Sequence, residues 1–156
     1  FYVEEPGFVN GGEGLDEKVL GAATGWCALD NDEFKPKSCN QIINYISAHD
    51  NFTLWDKLAI SMHGEFDEEG KFHLEDAPVE LFTTKYADVL EANKLGAFIY
   101  FTCQGHLFMQ AGEEYGRTKF GDGNSYRSHP EINMIRWNNI DIYEKKRYYY
   151  NNTLEL

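Results

Sequence analysis

The residues from Ile42 to Lys57 read IINYISAHDNFTLWDK, and they decide the fold class of this chain. Positions 42–48 are rich in strand-forming apolar side chains, and they run directly into the polar pair His49 and Asp50. Thr53 then suits the capping position of a helix that begins at the next residue. A buried strand that ends on polar residues and turns into a helix is typical of the C-terminal rim of a (β/α) barrel, where catalytic groups lie. The stretch therefore predicts an α/β fold with a site at the end of this strand.

The rest of the chain alternates in the same way between helix and strand patterns. Apolar spacing and turn residues predict a series of further segments, in chain order: a helix at 15–23, a helix from Leu54 to His63, an exposed insertion at 64–77, a helix at 78–103, a strand at 107–111, a long loop at 112–139 and a helix from Ile142. This order is that of successive βα units, so the two strands are predicted to lie parallel.

Composition excludes several classes of partner. The 156 residues carry 26 acidic and 14 basic side chains, a net charge of −12, which argues against nucleic acid or an anionic membrane surface as a partner. No apolar run reaches the length of a membrane span. The three cysteines, Cys27, Cys39 and Cys103, have no metal-ligand spacing and are expected to be free thiols. We predict no metal site and no cofactor, and whether a longer protein binds calcium is not encoded in these residues.

A second stretch, 104–137, contains a further series of short motifs. It contains, in this order, LFMQAGEE at 107–114, RTK at 117–119, NSY at 124–126 and EIN at 131–133. Together with 42–58, it resembles the seventh and eighth strands, and the loop after the eighth, of the pullulanases, the starch-debranching enzymes of the alpha-amylase superfamily. The resemblance covers the chain from about Phe8 to its C-terminus.

The resemblance implies a fold larger than this chain. A complete (β/α)₈ TIM barrel needs ~250 residues, so residues 1–156 are expected to be the C-terminal portion of a catalytic barrel, its last two βα units, cut at both ends. The family cleaves α-1,6 branch linkages in pullulan, starch or glycogen by a retaining mechanism, which uses a nucleophile and a general acid. Both lie on strands that this chain lacks, so the segment alone is expected to be inactive and poorly stable.

The resemblance also implies roles for particular residues. Asp50 corresponds to the carboxylate that stabilises the transition state, and His49 to the residue that binds hydroxyls of the sugar at the cleavage point. The loop after the eighth strand lines the substrate subsites, and it supplies four candidate substrate-binding residues: Arg117, Asp122, Asn124 and Tyr126. For each of these four, an ordinary solvated loop with Asx turns is an equally good interpretation. The implied partner is an α-glucan.

Glu113 and Glu114 could be mistaken for a catalytic pair of carboxylates. If they lie on a strand, adjacent side chains point to opposite faces and cannot flank one bond, so a structural role is the better interpretation.

Three other functions are alternatives to this one. A metal-dependent phosphohydrolase of the His-Asp type needs an earlier histidine, and none precedes His49. A non-catalytic glucan-binding module would account for the missing acid and nucleophile. A glycogen-debranching or isoamylase-like enzyme is the nearest alternative within the superfamily. The residues do not decide between a cytoplasmic and a secreted location.

Overall fold

The computed structural model describes residues 5–27, 35–64 and 85–137, which form a short parallel β-ribbon flanked by helices. The helices and strands are, in chain order, α1 (Asp16–Ala23), β1 (Ile43–Asn44), α2 (Leu54–His63), α3 (Ala87–Thr102), β2 (His106–Leu107) and α4 (Pro130–Asn133). Short 3-10 helices cover Phe8–Asn10, Cys39–Gln41, Glu113–Tyr115 and Ser125–Arg127. The predicted insertion after residue 64, the predicted helical residues 78–84 and the helix from Ile142 lie outside the described residues.

The two strands are parallel, as the order of elements predicted. Ile43 is paired with His106, and Asn44 with Leu107. The amide of His106 donates to the carbonyl of Ile42 at 2.9 Å, which extends the ladder by one bond. Parallel strands point their carboxyl ends to the same edge. The segments that follow β1 and β2 therefore leave the ribbon on the same side.

The entry to β2 depends on Gly105. Its φ of +119° is rarely adopted by residues with a side chain, and a Cβ there would lie 2.9 Å from the carbonyl oxygen of Ile42. The Asn44 side-chain amide donates to the carbonyl of Gln104 at 2.9 Å, and the Gln104 amide donates to the carbonyl of Ala23 at 2.9 Å. These bonds tie the end of α1 and strand β1 to the start of β2.

Both strands are shorter than predicted. The patterns at 42–48 and 107–111 predicted strands, whereas the observed pairing covers two residues on each side. Within the described residues each strand has one strand neighbour, and only two positions of each strand are paired. Apolar side chains beyond the ladder are exposed, and Tyr45 and Phe108 meet edge to face at 5.9 Å between ring centroids.

The core lies between α2 and α3. Thr53 caps α2 as predicted, because its hydroxyl accepts the amide of Asp56 at 3.1 Å. The buried cluster comprises Leu54, Trp55, Leu58, Ala59, Tyr86, Val89 and Ala92. Burying a side chain of the Leu or Val class stabilises the fold by about 1.5–3 kcal/mol. Trp55 is 2% exposed in this core, whereas Trp137 is 65% exposed.

His63, the last residue of α2, contacts α3. Its ring packs edge to face on Tyr86, and its Nε2 lies 2.9 Å from the carboxylate of Asp88 on α3. Partial burial acts to raise the pKa of Asp88, but its hydrogen bonds, led by the one to His63, lower it overall. This contact joins the end of α2 to the start of α3.

The segment predicted as an irregular loop at 112–139 is partly helical in its described residues, because two 3-10 helices and α4 lie within it. Among the helices of the described ranges, none has the length and apolar character needed to cross a membrane. Within the described residues, Cys27, Cys39 and Cys103 form no disulfide with one another. No three acidic, histidine or cysteine side chains are grouped closely enough to hold a metal ion within residues 5–27, 35–64 and 85–137.

Candidate functional site

His49 and Asp50 lie in the segment that joins β1 to α2. Their side chains are 89% and 79% exposed, and His49 Nε2 lies 3.4 Å from Asp50 Oδ2. Asn51 then adopts a left-handed backbone with φ of +60°, a conformation that asparagine tolerates better than most residues. An imidazole and a carboxylate are therefore presented side by side to solvent, which suits contact with a hydroxylated ligand.

Lys119 lies beneath this pair and joins it to the loop after β2. Its side chain is among the largest fully buried ones in the described residues, with 1% of the residue exposed. Its Nζ donates to the backbone carbonyl of His49 at 3.2 Å. Burial lowers the pKa of Lys119, while the carboxylates of Asp56, Asp122 and, more weakly, Asp50 act to raise it. A buried cation thus lies close to several of the acidic groups around the site.

Asp56 fixes the same loop to α2. Its side chain is fully buried, and one carboxylate oxygen accepts the backbone amide of Lys119 at 2.8 Å. The other oxygen accepts the hydroxyl of Thr118. Burial raises the pKa of Asp56, and these hydrogen bonds act to lower it. Because Asp56 belongs to the first turn of α2, these bonds hold the start of this helix against the loop after β2.

The two loops also meet directly at Phe52 and Gly123. A Cβ on Gly123 would lie 3.0 Å from the end of the Phe52 ring, so the ring lies flush against this glycine. Phe52 follows Asp50 by two positions, and Asp122 and Asn124 flank Gly123. This contact brings two of the predicted substrate-binding residues to the segment that bears the exposed pair.

Asp122 and Asn124 form the Asx turn that the sequence left as an alternative. Asp122 Oδ1 accepts the amide of Asn124 at 2.9 Å, and Oδ2 accepts the hydroxyl of Ser128. Asn124 itself is exposed. The turn gives this part of the loop a defined shape, and an oxygen that accepts one hydrogen bond retains a lone pair for a ligand hydroxyl.

Arg117 and Tyr126 are placed differently from each other. The Arg117 guanidinium donates to the backbone carbonyls of Ala111 at 3.0 Å and Asn133 at 2.6 Å, so it braces the loop internally. Tyr126 is 71% exposed, and the guanidinium carbon of Arg127 lies 5.0 Å from its ring centroid. An aromatic ring in this position suits stacking on a sugar, whereas both terminal nitrogens of Arg117 donate within the protein.

Glu113 and Glu114 lie in a 3-10 helix, so the strand argument used to separate them is wrong in its geometry. Glu113 is buried, and its carboxylate accepts the hydroxyl of Ser47. Burial raises the pKa of Glu113. Glu114 is exposed and accepts the amide of Gly112 at 2.9 Å. Both side chains bond within the protein, which agrees with a structural interpretation.

The structure thus brings His49 and Asp50 together with Asp122, through Lys119 and the Phe52 contact. Sequence reasoning gave no role to Lys119 or Asp56, although both lie inside the two motifs. The capping residue Thr53 placed Asp56 in the first turn of a helix, where carboxylates are usually solvated. No feature of the neighbouring sequence predicted that the Asp56 carboxylate is buried.

Comparison with known proteins finds relatives by sequence and by structure. No protein-family model matches the chain. A pullulanase of Bacillus subtilis is 30% identical over the whole chain, which spans 19% of that protein. A glycogen operon protein GlgX homolog of Haemophilus influenzae is 26% identical over 64% of the chain and 18% of its own length. A pullulanase structure from Paenibacillus barengoltzii, in complex with maltohexaose and alpha-cyclodextrin, superimposes on 93% of the chain and 20% of its own, with a TM-score of 0.72 and 30% identity.

The chain therefore spans about a fifth of the length of these relatives. The sequence match to the Bacillus subtilis pullulanase covers the whole chain, and the fold match to the Paenibacillus barengoltzii pullulanase covers 93% of it. The sequence match therefore contains the two motifs from which the resemblance was first drawn. Across its whole length, this chain resembles one segment of the pullulanases, with isoamylases and GlgX homologues as further relatives.

Proposed function

We propose that the chain forms the C-terminal part of a (β/α)₈ catalytic barrel in a glycoside hydrolase that cleaves α-1,6 branch linkages of α-glucans. The observation that carries the proposal is the pairing of loops at one edge of the ribbon. The exposed His49 and Asp50 follow the first of two parallel strands. Gly123, which lies between Asp122 and Asn124 in the segment after the second strand, packs against Phe52, two positions beyond Asp50. Relatives that share this segment are pullulanases, and one was crystallised with maltohexaose.

In this proposal Asp50 stabilises the transition state. Retaining glycoside hydrolysis develops positive charge on the sugar ring, and a fixed carboxylate lowers the energy of that charge more than that of the neutral ground state. Bound glucan would displace water from Asp50, which strengthens the interaction. His49 would donate a hydrogen bond to hydroxyls of the same sugar. The nucleophile and the general acid would come from residues outside this chain.

The loop after β2 would bind the neighbouring sugars. The Asx turn of Asp122 and Asn124 offers carboxylate and amide groups to vicinal hydroxyls, and the Tyr126 ring offers a stacking face. Arg117 would contribute by holding this loop to Asn133 and Ala111. The substrate-binding role first assigned to it is therefore proposed as an indirect one.

The test is the substitution Asp50→Asn in the complete gene product that carries this segment. We expect kcat/KM on pullulan to fall by about 10³-fold or more, since loss of a single charge-stabilising group commonly costs 10²–10³-fold or more. The thermal midpoint should be unchanged, because the side chain is 79% exposed. Asp16→Asn, an exposed carboxylate on α1, is the matched control. Near wild-type turnover by Asp50→Asn would remove Asp50 from the site.

An isoamylase-like specificity is the second candidate, and the similarity to rice isoamylase 3, at 28% identity, favours it. Pullulan and glycogen separate the two functions. Preferential release of chains from glycogen, with little action on pullulan, would favour the isoamylase-like reaction.

A further inference from the structure

Lys119 places a buried ammonium group close to the candidate site. Taking an ammonium out of water is costly unless it is paired or hydrogen-bonded. With 1% of the residue exposed, Lys119 is far from the usual environment of a lysine. A methionine of similar length would fill the same space without that cost. Packing by itself therefore does not account for a charge at this position.

The attachment of the loop to α2 does not require the Lys119 side chain either. That attachment is made by the carboxylate of Asp56, which accepts the backbone amide of Lys119 and the hydroxyl of Thr118. Any residue except proline at position 119 would supply the same amide. Besides its attraction to the carboxylates of Asp56 and Asp122, the ammonium group makes a separate interaction.

The separate interaction is with the candidate site. Lys119 Nζ donates to the carbonyl oxygen of His49 at 3.2 Å, across 70 positions of sequence. This carbonyl belongs to the peptide unit that joins His49 to Asp50. A donor held rigidly from below fixes the plane of that peptide, and hence the direction in which both side chains leave the backbone.

We infer that Lys119 is a positioning residue, whose ammonium group sets the orientation of His49 and Asp50 relative to the glucan-binding loop. The inference rests on the proposed function, since it assigns the pair a reaction for which orientation matters. A displacement of about 1 Å can cost 10²-fold in rate even when the altered residue never touches the substrate.

The experiment compares Lys119→Met, which removes the charge and the donor, with Lys119→Arg, which keeps both, in the complete gene product. Lys94→Met is the control, because Lys94 is an exposed lysine on α3 that pairs with Glu91. Pullulan hydrolysis gives kcat and KM, and thermal unfolding reports folding. The NMR shift of the Asp50 amide reports the peptide directly, since this amide shares its peptide unit with the His49 carbonyl.

We expect Lys119→Met to melt within a few degrees of wild type, to lose about 10- to 100-fold in kcat with less than a threefold change in KM, and to shift the Asp50 amide resonance. Lys119→Arg should recover part of the rate, and Lys94→Met should behave as wild type. A Lys119→Met protein with wild-type kcat and an unmoved Asp50 amide would overturn the inference, as would a fall in rate matched by an equal loss of folded protein. If Lys119→Met does not fold, Lys119→Arg decides: a reduced rate together with a shifted Asp50 amide supports the inference, and a reduced rate with an unmoved amide, or a shifted amide with the wild-type rate, refutes it.

Failure of the proposed function has a different outcome. If the wild-type protein does not cleave α-1,6 linkages, that function fails whatever the variants do. The amide shift then decides by itself whether Lys119 holds the His49 peptide: a shift in Lys119→Met retains this contact, and its absence refutes it.

Discussion

Asp56→Ala is expected to be among the most destabilising substitutions in the described part of the chain. The side chain is fully buried and accepts two hydrogen bonds, from the Lys119 amide at 2.8 Å and from the Thr118 hydroxyl. A hydrogen bond to a charged group contributes about 1.5–3 kcal/mol, so the two together give about 3–6 kcal/mol. The cost of burying the carboxylate, seen in its raised pKa, offsets part of this. We expect a net loss of about 3–4 kcal/mol, in the range for breaking buried charged contacts.

The measurement is urea unfolding at pH 7, followed by far-ultraviolet circular dichroism, in the complete gene product. A loss of this size is a large fraction of the about 5–15 kcal/mol typical of a domain. Asp56→Asn should cost less, about 1–3 kcal/mol, because its amide keeps one acceptor oxygen. Asp16→Ala at the start of α1 is the control and should cost less than about 1 kcal/mol. The reasoning is refuted if Asp56→Ala costs no more than Asp16→Ala at an unchanged urea dependence.

Two further substitutions test the packing around the site. Burial raises the folded-state pKa of Glu113, so its contribution to stability is full below the unfolded pKa of about 4.3 and is lost as the pH rises through the folded pKa. Glu113→Gln should therefore reduce the fall of the urea midpoint between pH 4 and pH 8. The same dependence of the urea midpoint on pH in Glu113→Gln and wild type would contradict this. Gly123→Ala would bring a methyl to 3.0 Å from the Phe52 ring and should cost about 1–3 kcal/mol by overpacking. The double variant Gly123→Ala with Phe52→Leu should recover part of that loss, and strictly additive losses would argue against the contact.

The sequence predicted the position of the exposed pair because the cause is local. A run of strand-forming residues ends on His49 and Asp50, and the next capping residue, Thr53, starts a helix whatever lies elsewhere. The parallel direction of the strands also followed from the order of elements. Each of these features depends on neighbours within a few positions or on chain order alone.

The buried charges could not be predicted in this way. Asp56 and Lys119 are 63 positions apart, and each occurs in a stretch where a charged residue is usually solvated. The strand lengths were overestimated for a related reason. Apolar residues at 45–46 and 108–109 look like buried strand, but a ladder exists only where a partner strand runs alongside, and here that is two residues.

The segment that carries the exposed pair is held by contacts before the pair, at the pair and after it. Before the pair, the Ser47 hydroxyl is held by the buried carboxylate of Glu113. At the pair, Lys119 holds the carbonyl of His49, and after it Thr53 caps α2. These contacts reach across 66 and 70 positions of sequence for Ser47 and His49.

A segment fixed at three points restricts its intervening residues to few conformations. Between His49 and Thr53 the chain turns through Asn51, whose φ is +60°, while the Asp50 side chain remains 79% exposed. A carboxylate that is rigid in its backbone and open to solvent in its side chain meets the requirement for charge stabilisation without reorganisation during a reaction. The supporting residues should therefore influence turnover through the exposed pair, which is why Lys119 rather than Arg117 is the residue to substitute first.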